Sequence, residues 1–101
     1  MAVPKINWND ADCCDTGELT AAGNIKATPG VVFWLTACET AGAAATFTLN
    51  DATSGTTGEI ATFRVTANTT LGLRFAPAIQ FTTGIRLGAV GASMSITVGY
   101  A

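Results

Sequence analysis

A chain of 101 residues is long enough for one domain, near the lower part of the usual size range, where a smaller fraction of the surface is buried than in larger domains. Hydrophobic residues make up 49% of it and charged residues only 12%, against about 25% charged in an average soluble domain, so its surface is Thr- and Ala-rich, shared with partners, or both. The net charge of −2 leaves no basic stripe to neutralise phosphates, which argues against nucleic-acid binding.

The sequence predicts an all-β chain: a single antiparallel β-sandwich, jelly-roll-like, over residues 18–101, preceded by an extended N-terminal arm over residues 1–17. The arm carries Pro4, several Asn and Asp residues and Gly17 without sustained periodicity. Ile6 and Trp8, two apart, can anchor one side of it in a groove. Glu18 to Ala27 reads as a weak first strand, and Thr28-Pro29-Gly30 as a turn with the glycine free to take positive φ.

Val31 to Cys38 is the clearest strand. Val31, Phe33 and Leu35 fall on one side and Val32 and Trp34 on the other, so both faces are apolar and the second is expected to meet a neighbouring subunit. A loop over Glu39 to Ala43 leads to the strand Ala44 to Asn50, with Phe47 and Leu49 inward and Thr46, Thr48 and Asn50 outward. After the polar connection Asp51 to Gly58, the strand Glu59 to Ala67 turns Phe63 and Val65 inward. Leu71, Leu73 and Phe75 alternate with Gly72, Arg74 and Ala76 ahead of Pro77, which marks a strand end or an edge. Phe81 to Leu87 and Ser93 to Tyr100 complete the set, the latter with Met94, Ile96, Val98 and Tyr100 on one side. Seven or eight short strands at nearly regular spacing, with no amphipathic helix, indicate a sandwich or jelly roll.

Catalytic patterns are missing from the writing of the chain. It has no histidine, which removes Ser-His-Asp and Cys-His arrangements and the commonest metal ligand. Glu39, Asp51 and Glu59 read as solvated loop charges. The run Asp10-Ala11-Asp12-Cys13-Cys14-Asp15 alternates oxygens as calcium loops do, but Gly17 and Glu18 stand at the wrong offsets for an EF-hand. Cys13, Cys14 and Cys38 are an odd set without zinc spacing, and Cys38 in strand register reads as a small core or interface residue. No cofactor or metal is expected. No apolar run approaches the roughly 20 residues of a membrane span or fits a signal peptide, so synthesis and assembly in a host cytoplasm are expected.

Four stretches carry a resemblance: Ala27-Thr28-Pro29-Gly30-Val31-Val32-Phe33, then Phe47-Thr48-Leu49-Asn50-Asp51-Ala52-Thr53-Ser54-Gly55, then Pro77-Ala78-Ile79-Gln80-Phe81-Thr82-Thr83-Gly84-Ile85, and finally Ser95-Ile96-Thr97-Val98-Gly99-Tyr100. Together they resemble small structural proteins of tailed bacteriophages, of the head decoration or cement type. The resemblance spans roughly residues 25 to 101 and leaves the arm outside. It implies a non-enzymatic β-sandwich on the outer capsid surface of a virion, often a homotrimer, whose partners are the major capsid protein and itself. The alternative is a receptor- or glycan-binding module of a phage tail or host adhesin.

Charge is distributed unevenly, with Asp10, Asp12, Asp15 and Glu18 near one end and Arg64, Arg74 and Arg86 in the second half. The arm is therefore expected to bind a neighbour, Ile6 and Trp8 filling apolar grooves while Asp10, Asp12 and Asp15 meet arginines, with Val32 and Trp34 near the subunit contact. Sedimentation is expected to show an oligomer, most simply a trimer; a strictly monomeric species at micromolar concentration would count against this.

Overall fold

The computed structural model describes residues 14–55, 57–91 and 93–101, and all regular secondary structure among them is β-strand. The strands are β1 (Cys14–Asp15), β2 (Gly23–Lys26), β3 (Gly30–Glu39), β4 (Ala45–Asp51), β5 (Glu59–Val65), β6 (Thr70–Phe81), β7 (Ile85–Gly88) and β8 (Met94–Tyr100). They form two antiparallel sheets of four, in the orders β1-β8-β3-β6 and β2-β7-β4-β5.

A simple rule underlies those orders. β1 pairs with β8, β2 with β7, β3 with β6 and β4 with β5, as in one long hairpin folded at the β4–β5 connection. That ribbon is then rolled so that β3 also meets β8 and β4 also meets β7. Rolling turns the apolar side of every strand toward a shared interior, where Leu35, Phe47, Leu49, Leu87, Ile96 and Val98 are completely buried. Phe47 stacks on Phe63 with ring centroids 5.1 Å apart, and Phe63 meets Phe75 at 6.2 Å, so β4, β5 and β6 are joined across the side where the two edge strands lie.

Alternation predicts most of this interior, and β3 is where it fails. Both ladders of β3 shift register between Val32 and Trp34, a bulge that adds a residue on this strand. Parity switches there. Val32, Leu35 and Ala37 are all core residues, whereas Val31 and Phe33 line the opposite surface. Val32 is thus corrected from a subunit contact to an interior residue with no exposed surface.

Other boundaries move for identifiable reasons. The end of the expected arm enters the sheet: Cys14 and Asp15 pair with Tyr100 and Gly99, and the Thr16 N–H donates to the Val98 carbonyl at 3.1 Å. The expected strand Phe81 to Leu87 is interrupted at residues 82–84, where the chain turns between β6 and β7. Pro77 lies within β6, on a sheet edge, where its missing N–H breaks no ladder between two neighbours. Gly30 does not take positive φ; a Cβ there would collide with the Ala101 carbonyl oxygen, because Val31 and Ala101 exchange both backbone hydrogen bonds at 3.0 Å. Thr48 and Asn50 do face away from the core, yet both are buried. The Thr48 hydroxyl donates to Asn50 Oδ1 at 2.7 Å, and Asn50 Nδ2 donates to the Thr57 carbonyl at 3.0 Å, so the β4–β5 connection folds over them.

Truncating Phe47, which stacks on Phe63 and is wholly buried, is expected to cost about 3–5 kcal/mol in the Phe47→Ala variant. Chemical denaturation followed by far-UV circular dichroism measures it, and the native spectrum is expected to be β-type.

Candidate functional site

Two carboxylates tie the ends of the molecule. Glu39 closes β3 and is buried, and its oxygens accept the backbone N–H groups of Ala41 at 2.6 Å, Gly42 at 3.1 Å and Asn68 at 3.0 Å. It joins the β3–β4 turn to the β5–β6 turn. The Asn68 N–H foremost, with those of the β3–β4 turn, holds the Glu39 carboxyl below its ordinary range against the opposing effect of burial. At the opposite end of β4, Asp51 accepts the N–H groups of Thr82 at 3.0 Å, Thr83 at 2.7 Å and Gly84 at 3.2 Å, and the Thr82 hydroxyl at 2.9 Å. These bonds, led by the Thr82 and Thr83 N–H groups, lower its pKa to about 2. Both residues are corrected from solvated charges to structural clasps, and every donor they collect is already used, so neither offers a free acid or base. Glu59 is exposed and accepts the Thr62 hydroxyl. Among the described residues no three His, Cys, Asp or Glu side chains gather as metal ligands.

The surface with shape is the outer face of the β1-β8-β3-β6 sheet. Gly99, Trp34 and Arg74 are neighbours across β8, β3 and β6. The Trp34 indole lies over Gly99, where any Cβ would overlap its ring atoms, so glycine there lets the tryptophan lie close to the sheet. Beside it a groove of about 360 Å³ opens between β3 and the irregular stretch of β6, lined by Val31, Phe33, Phe75, Pro77 and Ala78, with Arg74 and Gln80 among its polar lining. The groove exists because both strands are irregular at one level: β3 bulges at Phe33, and β6 places four residues, 75 to 78, between the partners of Trp34 and Val32, Arg74 and Ile79. Phe33, 6% exposed, is turned away from the core and forms part of the groove wall.

The expected contact residues are not gathered in one place. Ile6, Trp8, Asp10 and Asp12 lie outside the described residues. Asp15 is exposed on edge strand β1, its carboxylate accepting the Gly17 N–H at 3.0 Å. Trp34 and Arg74 share the outer face just described. Arg64, level with Thr46, is exposed on the other sheet. Arg86, half-buried on β7, makes two internal bonds: its Nε donates to the Gly55 carbonyl at 2.9 Å and its Nη1 to Asn24 Oδ1 at 3.0 Å, binding β2 to the β4–β5 connection. The groove itself escaped sequence reading because it depends on two backbone irregularities; the pairing of Pro77 with an apolar run on both faces of β3 was the available signal.

No family model matches this sequence, and neither a curated protein nor a solved structure matches it.

Because the folded pKa of Asp51 is depressed, its clasp contributes stability above the ordinary value of 3.8 and loses it as pH falls toward about 2. The Asp51→Asn variant, which turns an amide NH₂ or a single acceptor toward these donors, is expected to unfold at lower denaturant than the parent at pH 7. The gap should narrow through that acidic window, as denaturation midpoints measured at several pH values will show.

Proposed function

We propose that the chain is an eight-stranded jelly roll that acts without catalysis as a decoration protein on the outside of a bacteriophage capsid, holding neighbouring capsomers together. The strand order carries this reading. An eight-strand ribbon paired β1·β8, β2·β7, β3·β6 and β4·β5, then rolled into two sheets, is the wrapping of jelly rolls, an architecture used by viral capsid and lectin domains.

Surface chemistry supports the structural role. Charge is sparse, and the described carboxylates with depressed pKa values, Glu39 and Asp51, are occupied by backbone donors. What remains on display is a Thr-rich sheet face bearing Trp34, Arg74 and an apolar groove, and an edge strand, β5, carrying the exposed Ile60. Sheet edges and apolar grooves bind by strand addition and burial, which serve a protein that stays on its partner. Self-association as a homotrimer is part of the same proposal, with the Trp34 face in the contact in place of Val32.

A glycan-binding role is the second reading, favoured by the aromatic walls of the groove beside Arg74 and Gln80. Quantitative mass spectrometry of the purified particle separates the two. A copy number comparable to that of the major capsid protein, with binding to undecorated shells that saturates at a fixed ratio, is expected. A handful of copies per particle together with retention on a glycan surface would replace the decoration reading with the second.

A further inference from the structure

One open sheet edge carries a pattern that a second copy of itself can read. Among the described residues β5 is hydrogen-bonded to β4 alone, so its outer side has no partner strand. The Asp51 N–H donates to the Gly58 carbonyl on the β5 side of β4, and the Thr46 carbonyl accepts the Gly91 N–H on the β7 side. Backbone groups alternate in direction along an antiparallel strand, so Phe47 and Leu49, like Asp51, point theirs at β5 while Thr46 and Thr48 point theirs at β7. Phe63 and Ala61 are the partners of Phe47 and Leu49. Thr62 and Arg64 therefore direct their N–H and C=O groups to the open edge.

A bulge sets the side-chain pattern on that edge. Leu49 pairs with Ala61 and Asn50 with Glu59, so Ile60 is the extra residue, and Glu59 shares the outer face with Thr62 and Arg64. The Thr62 hydroxyl donating to Glu59 Oε2 confirms that these two lie side by side. All three are exposed, as is Ile60 at 41%, and Glu59 and Arg64 form no ion pair among the described residues. When the same register is repeated against a second β5, about a two-fold axis through Thr62, each Thr62 meets its own copy, each Ala61 meets Phe63 of the second copy, and each Glu59 meets Arg64 of the second copy. Phe63, only half-buried in one copy, is covered by that pairing, and the two Phe63 rings become diagonal neighbours within reach of each other. An edge bearing charges of one sign repels a copy of itself. This edge bears one of each sign, at the two positions that the axis exchanges.

We propose that two copies of this chain join through antiparallel β5 edges, with Thr62 backbone bonds at the axis and a Glu59–Arg64 pair on either side of it. The β2-β7-β4-β5 sheets of the two copies then run on as one sheet of eight strands. The contact is on the opposite sheet from Trp34, and it stands whether or not the protein decorates a capsid.

Sedimentation equilibrium of charge-reversed chains tests it. The full chain is expected to associate reversibly at micromolar concentration in a step that doubles its mass. Glu59→Arg and Arg64→Glu each set like charges against each other in both pairs, and each is expected to raise the dissociation constant of that step about tenfold or more while circular dichroism shows the variant folded. Each variant is mismatched with itself and matched with the other. An equimolar mixture is therefore expected to double the mass that either shows alone, with one chain of each kind per pair by native mass spectrometry. If a reversed charge unfolds the chain, Glu59→Gln and Arg64→Gln replace it: each is expected to weaken association, and the double variant by no more than about the larger single effect, because both remove the same pairs. A parent chain without the doubling step, single variants that associate as the parent does, a mixture no heavier than its components, or additive losses in the neutral variants would overturn the proposal.

Discussion

One extra residue in β3 governs much of what this molecule can present. β3 is hydrogen-bonded on both sides, to β8 and to β6, so a bulge between Val32 and Trp34 reverses side-chain parity in the middle of a sheet. Without it, a strand with Leu35 and Ala37 inside would carry Val31 and Phe33 inside as well. With it, Val32 joins the core and Phe33 is turned outward. Turning a phenyl ring out of the core forgoes burial worth about 1.5–3 kcal/mol unless something covers it. Phe33 is nonetheless only 6% exposed, and it shares the groove wall with Phe75, Pro77 and Ala78 of β6.

The roll itself brings residues together that are far apart in sequence, and it is closed at both ends by backbone amides gathered on single carboxylates. Glu39 holds the turns at one end and Asp51 those at the other. A carboxylate accepting several N–H groups is stabilised in its charged form and satisfies donors that a turn would otherwise leave open. In a chain with so few charges, two of its seven acidic residues are spent in this way, and Arg86 is spent similarly on Asn24 and Gly55. The fold uses charge to fix loops and leaves a surface on which contacts are made mainly by shape and apolar area.

The arginines of the second half of the chain are divided in the same way. Arg64 and Arg74 lie on outer faces of different sheets, and only Arg74 shares a surface with Trp34 and the groove. A single exposed cation beside an apolar trough is a weak electrostatic signal but a directional one, since it marks one rim of the trough for an acidic group.

Sequence by itself determined the strands and their inward sides wherever alternation is unbroken: Phe47 and Leu49 on β4, Phe63 and Val65 on β5, and Met94, Ile96 and Val98 on β8 face the core as a period of two requires. It also excluded histidine chemistry outright. Tertiary structure alone decided which strands are neighbours, because β1·β8 and β2·β7 pairing closes loops of about 85 and about 60 residues that no local pattern records. It alone decided the fate of Val32, Glu39 and Arg86, because a bulge changes parity without changing composition and a charge is structural only when the amides that meet it come from distant turns.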